Sequence, residues 1–102
     1  MNQAAMLAQV RKMQAEMTKA QEELAATVVS GSAAGGLVKV EITCDYRVQS
    51  VKVDKTAIDP EDAETLEDLI VVAVNDAIAK AQDTSGKRMG ALTGGLRIPG
   101  MM

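Results

Sequence analysis

The chemistry this chain could perform is bounded first by what its 102 residues lack: there is no histidine, and Cys44 is the single cysteine. The usual general bases and activated thiols are therefore missing, and the serines have no evident activating partner. Gly31-Ser32-Ala33-Ala34-Gly35-Gly36 has the spacing of a phosphate-binding loop. Leu37 stands where that loop needs lysine, however, and no Ser or Thr follows to hold magnesium. The carboxylates Asp59, Glu61, Asp62, Glu64, Glu67 and Asp68 could attract a hard cation. They lack a calcium-loop spacing and read better as a solvated helix face matched to the helix dipole. Cys44 falls on the apolar side of its segment, which favours structural burial over redox reactivity. These residues argue against an enzyme, and no catalytic residue, metal ligand, cofactor or small-molecule substrate is expected.

The basic residues carry what remains. The net charge is −3, but its sign is unevenly spread. Seven acids and no base lie between Asp59 and Asp76, whereas Lys80, Lys87, Arg88 and Arg97 face only Asp83. Near the start, Arg11 and Lys12 precede the first acid, Glu16, and Lys19 follows it. Lysines and arginines near helix ends can contact phosphates without reading bases, although the same spacing suits ordinary solvated positions. Tyr46 is the only aromatic residue, so there is no platform for stacking single strands or unstacked RNA bases. Duplex DNA is the nucleic acid this composition fits.

Those side chains must be positioned by a small number of elements. From Asn2 to Ala26 the apolar positions Met6, Val10, Met13, Met17, Ala20 and Leu24 recur at alternating intervals of four and three, a heptad seam rather than a broad globular face. Such a helix spans roughly 36 Å, more than one small core needs, so it should protrude or lie along a partner. Val38, Val40, Ile42 and Cys44 then alternate with polar residues, and Val51 and Val53 mark a second strand. Val48 is out of phase with them, which predicts a bulge near Gln49-Ser50. Val28-Val29 is a weaker strand candidate, followed by a flexible turn over Gly31 to Gly36. Asp59 reads as an N-cap and Pro60 as the first residue of a second long helix running to about Gln82. Thr84-Ser85-Gly86 weakens that helix, and Thr93-Gly94-Gly95, Pro99-Gly100 and the terminal methionines suggest an irregular tail. The expected fold class is α+β, a single domain over 1–102: helix 1–26, three-stranded antiparallel meander 27–54, helix 59–83, and a helical extension or tail 84–102.

In the second helix, Leu66, Leu69, Ile70, Ala73 and Ala77 form one apolar stripe, and Val71, Val72 and Val74 widen it around the cylinder. One protein surface cannot cover so much, and a second copy of the chain is the expected cover. Leu66, Leu69, Ile70, Ala73 and Val74 are the expected dimer interface. A buried strand over Leu69 to Val74 is the competing reading, disfavoured by the helix-start and helix-continuing residues on its flanks. Asn75, beside the stripe, either bonds across the dimer or meets solvent. Arg11 and Lys12 interrupt any apolar start and no run reaches membrane length, so a soluble, cytoplasmic protein is expected.

Several segments taken together resemble the YbaB/EbfC family of bacterial nucleoid-associated proteins. They are Gly36-Leu37-Val38-Lys39-Val40, Ile58-Asp59-Pro60, Leu66-Glu67-Asp68-Leu69-Ile70 with Ala73 and Asn75-Asp76-Ala77, and Met89 with Leu92-Thr93-Gly94-Gly95-Leu96 and Ile98-Pro99-Gly100. The resemblance implies a tweezer-like homodimer that binds duplex DNA through projecting helices, lies on the nucleoid, and is often encoded beside recombination and replication genes, whose products are then candidate partners. Carried over to this chain, the DNA contacts are Arg11, Lys12, Lys19, Lys80, Lys87 and Arg88. Two departures stand out. Cys44-Asp45-Tyr46 occupies a hairpin where a glycine is common, and Ser85-Gly86 falls where the last helix usually continues, so a shorter or kinked arm is expected. The competing function is a dimeric adaptor whose Met-rich seam grips a partner's helix without contacting DNA.

Overall fold

The computed structural model describes residues 2–93, with the side chain of Thr93 left aside. Arg97 and the expected tail beyond Thr93 lie outside the described residues. Helix α1 spans Gln3–Ala26. Asn2 caps it, its side chain accepting from the Ala4 N–H at 2.9 Å. At the other end the Thr27 hydroxyl donates to the Glu23 carbonyl at 2.7 Å and the chain turns into a strand. Only Ala20 and Leu24 of α1 are buried, while Met6, Val10, Met13 and Met17 stay 40–52% exposed. The helix protrudes.

Strands β1 (Val28–Ala33), β2 (Val38–Thr43) and β3 (Val48–Val53) form an antiparallel meander in the order β1-β2-β3. Glu41 pairs with Ser50 and Ile42 with Val48, leaving Gln49 as the extra residue. The bulge falls where the phase of the valines places it.

The expected turn over Gly31 to Gly36 is corrected. Gly31 to Ala33 belong to β1, and the reversal is confined to Ala34, Gly35 and Gly36, with φ of 53°, 69° and 98°. Gly31 serves packing instead: a Cβ there would stand 2.5 Å from the Ala73 carbonyl oxygen and 2.6 Å from Ala77 Cα. The backbone of the second helix thus rests directly on β1. In the β2–β3 hairpin, Tyr46 takes the left-handed conformation usually left to glycine, φ 70°. The turn is closed by the Tyr46 N–H donating to the Thr43 carbonyl at 2.9 Å and by the buried Thr43 hydroxyl accepting from the Arg47 N–H at 3.0 Å. The Thr43 hydroxyl also donates to Asp45.

Helix α2 runs Ala63–Thr93, which corrects the start of the expected 59–83 helix and carries it on into 84–93, where a helical extension or a tail is expected. Asp59 closes a turn, its side chain accepting from the Glu61 N–H and its carbonyl from the Asp62 N–H, each at 2.9 Å. Asp62 does the capping, because Thr65 three residues on offers it both the N–H, at 3.2 Å, and the hydroxyl, at 2.6 Å. At the far end the helix continues through Ser85-Gly86. A mid-helix glycine costs about 1 kcal/mol against alanine. Asp83–Lys87 at 3.0 Å within the helix and Arg88–Glu23 at 2.9 Å across to α1 support the same turns.

The core is the inner face of the sheet against α2. Val38, Val40, Ile42, Ala33, Cys44 and Leu24 meet Ala73, Ala77 and Ala81, whose small side chains permit the close approach at Gly31. Paired residues share a face, so Val48 and Val51, opposite Ile42 and Val40, also belong to the inner face. They are nonetheless 53% and 46% exposed. Helix α2 covers β1 and β2 and leaves Val48 and Val51 of β3 bare.

Candidate nucleic-acid interface

Successive helix residues turn by about 100°, so Lys12 and Lys19, seven apart, lie within roughly 20° of each other on α1. Arg11 flanks that line, and the seam of Met6, Val10, Met13 and Met17 falls on the opposite side of the cylinder. Arg11, Lys12 and Lys19 are all exposed, and none makes an ion pair among the described residues. One helix thus carries an apolar edge that continues the line of the buried Ala20 and Leu24, and a basic edge that faces the other way.

The α2 set is differently placed. Lys80 bonds Asp76 at 3.1 Å and Lys87 bonds Asp83 at 3.0 Å, both pairs one helical turn apart. Arg88 is directed at α1, where its Nε and Nη2 both reach Glu23 Oε2 at 2.9 Å. Asp76 also accepts from the Ser32 N–H on β1 at 2.9 Å. This backbone bond, seconded by Lys80, holds the Asp76 carboxyl below the usual carboxylate range. The α2 cations are therefore already engaged, Lys80 and Lys87 within their own helix at the four-residue spacing visible in the sequence, and Arg88 across to α1, a contact that the sequence does not reveal.

Where the two helices meet the hairpin, Gln21, Leu24, Cys44, Asp45, Tyr46, Ser85 and Met89 line a cleft of about 440 Å³. Glu23 of α1 meets Arg88 near the end of α2, and the molecule is 70 Å long against the roughly 46 Å that α2 alone spans, so α1 runs antiparallel to α2 and its start extends beyond the end of α2. Cys44 sits at the base of the cleft, buried. Burial, reinforced by the charge of Asp45, pushes its thiol up from the ordinary value, which keeps it protonated and unreactive. The described residues contain no group of three or more His, Cys, Asp or Glu arranged to hold a metal ion. No described helix is long and apolar enough to cross a membrane.

The expected dimer residues separate into two groups. Ala73 is completely buried against β1 and belongs to the core of its own chain, a correction forced by the close approach at Gly31. Leu66, Leu69, Ile70 and Val74 are half-buried, and Val71 and Val72 are 57% and 54% exposed. Asp76 marks the flank of α2 that faces the outer edge of β1. Ile70, Val71 and Val74 therefore lie on the other flank, above the bare inner face of β3. Val48 and Val51 on that strand, both exposed, are apolar surface that the sequence reading did not single out. The signal was available in their alternation, but it does not tell which strand the helix leaves uncovered.

A family model described as the YbaB/EbfC DNA-binding family matches residues 1–96. A nucleoid-associated protein of Syntrophobacter fumaroxidans is 50% identical over 93 residues, covering 91% of this chain and 84% of that protein. Proteins of the same name from Nocardia farcinica and Chloroflexus aurantiacus are 47% and 46% identical, covering 94% and 95% of this chain and 87% and 97% of their own. The crystal structure of the uncharacterized protein HP0035 from Helicobacter pylori shares the fold, with a TM-score of 0.76 at 18% identity, covering 95% of this chain and 99% of that one. With a family match across nearly its whole length and relatives at up to half identity, the chain belongs to the YbaB/EbfC DNA-binding family.

Proposed function

We propose that this protein binds duplex DNA as a homodimer, chiefly through phosphate contacts from the protruding α1 helices. The observation that carries the reading is the basic edge of Arg11, Lys12 and Lys19, which makes no ion pair among the described residues, on a helix that those residues barely cover. Lys80, Lys87 and Arg88 contribute second, because a phosphate must first displace Asp76, Asp83 or Glu23 from them. The acidic start of α2 repels DNA from the body and directs it to the arms. Contacts of this kind position the protein without reading sequence, so preference among duplexes is small. The second copy packs on Val48, Val51, Ile70, Val71 and Val74, with Leu66 and Leu69 at the margins, an apolar surface that is costly to leave in water. The family membership and the relatives' name, nucleoid-associated protein, support a place on the nucleoid.

The test is a fluorescence-anisotropy titration of two unrelated labelled duplexes at low and at physiological salt. Saturable binding of both, weakening steeply with salt, is expected. No binding at low salt refutes the proposal. A second reading rests on the exposed seam: Met6, Val10, Met13 and Met17 could receive an amphipathic helix of a recombination or replication protein. Met13→Glu with Met17→Glu would abolish such a complex and spare DNA binding.

A further inference from the structure

Lys39 and Lys52 stand directly opposite each other in the register of β2 and β3, and both are exposed. Being out of phase with Val38, Val40, Val51 and Val53, they leave the sheet by its outer face, away from α2. Like charges directly opposite destabilise a strand pair. A lysine on an edge strand guards against unwanted pairing, which accounts for Lys52 on β3. β2 is the central strand, and Lys39 has no edge to guard.

The nearby acids are each hydrogen-bonded to other groups. Glu41, on the same face, accepts from the Ser50 hydroxyl at 3.0 Å, Asp54 holds the Thr56 N–H at 2.9 Å, and Asp76 is shared by Ser32 and Lys80. Neither lysine forms an ion pair among the described residues. Ser32 pairs with Lys39 from the other side, so a hydroxyl and two ammonium groups cross the sheet in one row at the strand spacing of about 5 Å. That row suits a run of phosphates.

Its position separates it from the arms. Ser32 meets α2 at Asp76, and Glu23 meets it at Arg88, twelve residues or roughly 18 Å further along. Because α1 runs antiparallel to α2, Lys12 lies roughly another 16 Å beyond Glu23. Lys19, the nearest of the arm cations, therefore stands roughly 24 Å along the axis from the level of the row. We propose that Ser32, Lys39 and Lys52 form a second phosphate-contact surface, through which a protein holding one duplex on its arms captures a second duplex. This rests on the arm-binding reading above, and the two fail in different ways.

The experiment uses the full chain. A duplex fixed to beads is saturated with protein and washed, then offered a second, labelled duplex at low salt, while anisotropy reports binding of a single duplex. Wild type should bind the first and retain the second. Lys39→Gln with Lys52→Gln should bind the first within twofold of wild type and retain at least fivefold less of the second. Lys39→Arg with Lys52→Arg should restore retention. Retention by the Gln variant equal to wild type overturns the proposal, as does an equal loss of both activities, or a wild type that binds one duplex and captures no other. A wild type that binds no duplex overturns the arm reading and this one together.

Discussion

Gly31→Ala should be among the most damaging single-methyl changes available to this protein. The new Cβ would lie 2.5 Å from the Ala73 carbonyl oxygen and 2.6 Å from Ala77 Cα, where ordinary contact begins at 3.4 Å. Both neighbours are main chain of a helix, so no rotamer change relieves the clash. α2 would have to withdraw by roughly an ångström, loosening Ala73, Ala77 and Ala81 from Val38, Val40 and Ile42 together. Overpacking typically costs about 1–3 kcal/mol, and rigid neighbours place this case near about 3. A chain of this length has roughly 5–15 kcal/mol in total. Urea unfolding at fixed protomer concentration should show that loss as a lower midpoint with little change in slope, and thermal unfolding a fall on the order of 12–24 °C. The internal control is Gly86→Ala: nothing lies within 4 Å of a Cβ there, and the position is inside α2. That change should stabilise by about 0.5–1 kcal/mol. A Gly31→Ala loss under about 1 kcal/mol would refute the account of how α2 seats on β1.

Replacing Arg11, Lys12 and Lys19 together by Gln should lower the slope of log affinity against log salt by about 3 per protomer. The same change at Lys80, Lys87 and Arg88 should weaken binding less and destabilise the fold more. Val51→Asp with Val71→Asp should convert a dimer to a folded monomer in sedimentation equilibrium while circular dichroism keeps its helical signal. Asp54, Asp62 and Asp76 are held below the usual carboxylate range, the first two chiefly by Thr56 and Thr65 hydroxyls and Asp76 by the Ser32 N–H. As pH falls the unfolded chain therefore takes up protons first. Stability should be level from pH 7 to about 5 and decline below about pH 4, with a shallower decline in Asp76→Asn. Cys44 should react with a thiol reagent at pH 8 at least tenfold faster in denaturant than in the native protein.

Much of the fold was legible because periodicity reports burial directly. The strict alternation from Val38 marks the central strand β2 plainly, and the phase slip at Val48 locates the bulge. The failures share a physical origin: a residue whose role is set by something distant in sequence. Gly31 looks like a turn until Ala77 is placed above it. Pro60 invites a helix start until Thr65 selects Asp62 as the cap. Gly86 suggests an end until Arg88 reaches back 65 residues to Glu23. The basic residues were identifiable by type, and the four-residue spacing of Lys80 and Lys87 from acids was readable too, but the pairing of Arg88 depends on the packing of α1 against α2.

The last buried residue met on moving out along α1 is Ala20, which leaves Gln3 to Lys19 as a beam of about 25 Å anchored at one end. Seventeen residues in isolation are close to the length at which helix and coil balance in water. The outer amides should then exchange with deuterium orders of magnitude faster than those at Ala20 and Leu24, which open only with the whole domain. Whatever settles on the arm also completes its folding, so part of the binding enthalpy should be that of helix formation, growing as temperature rises and the free arm melts.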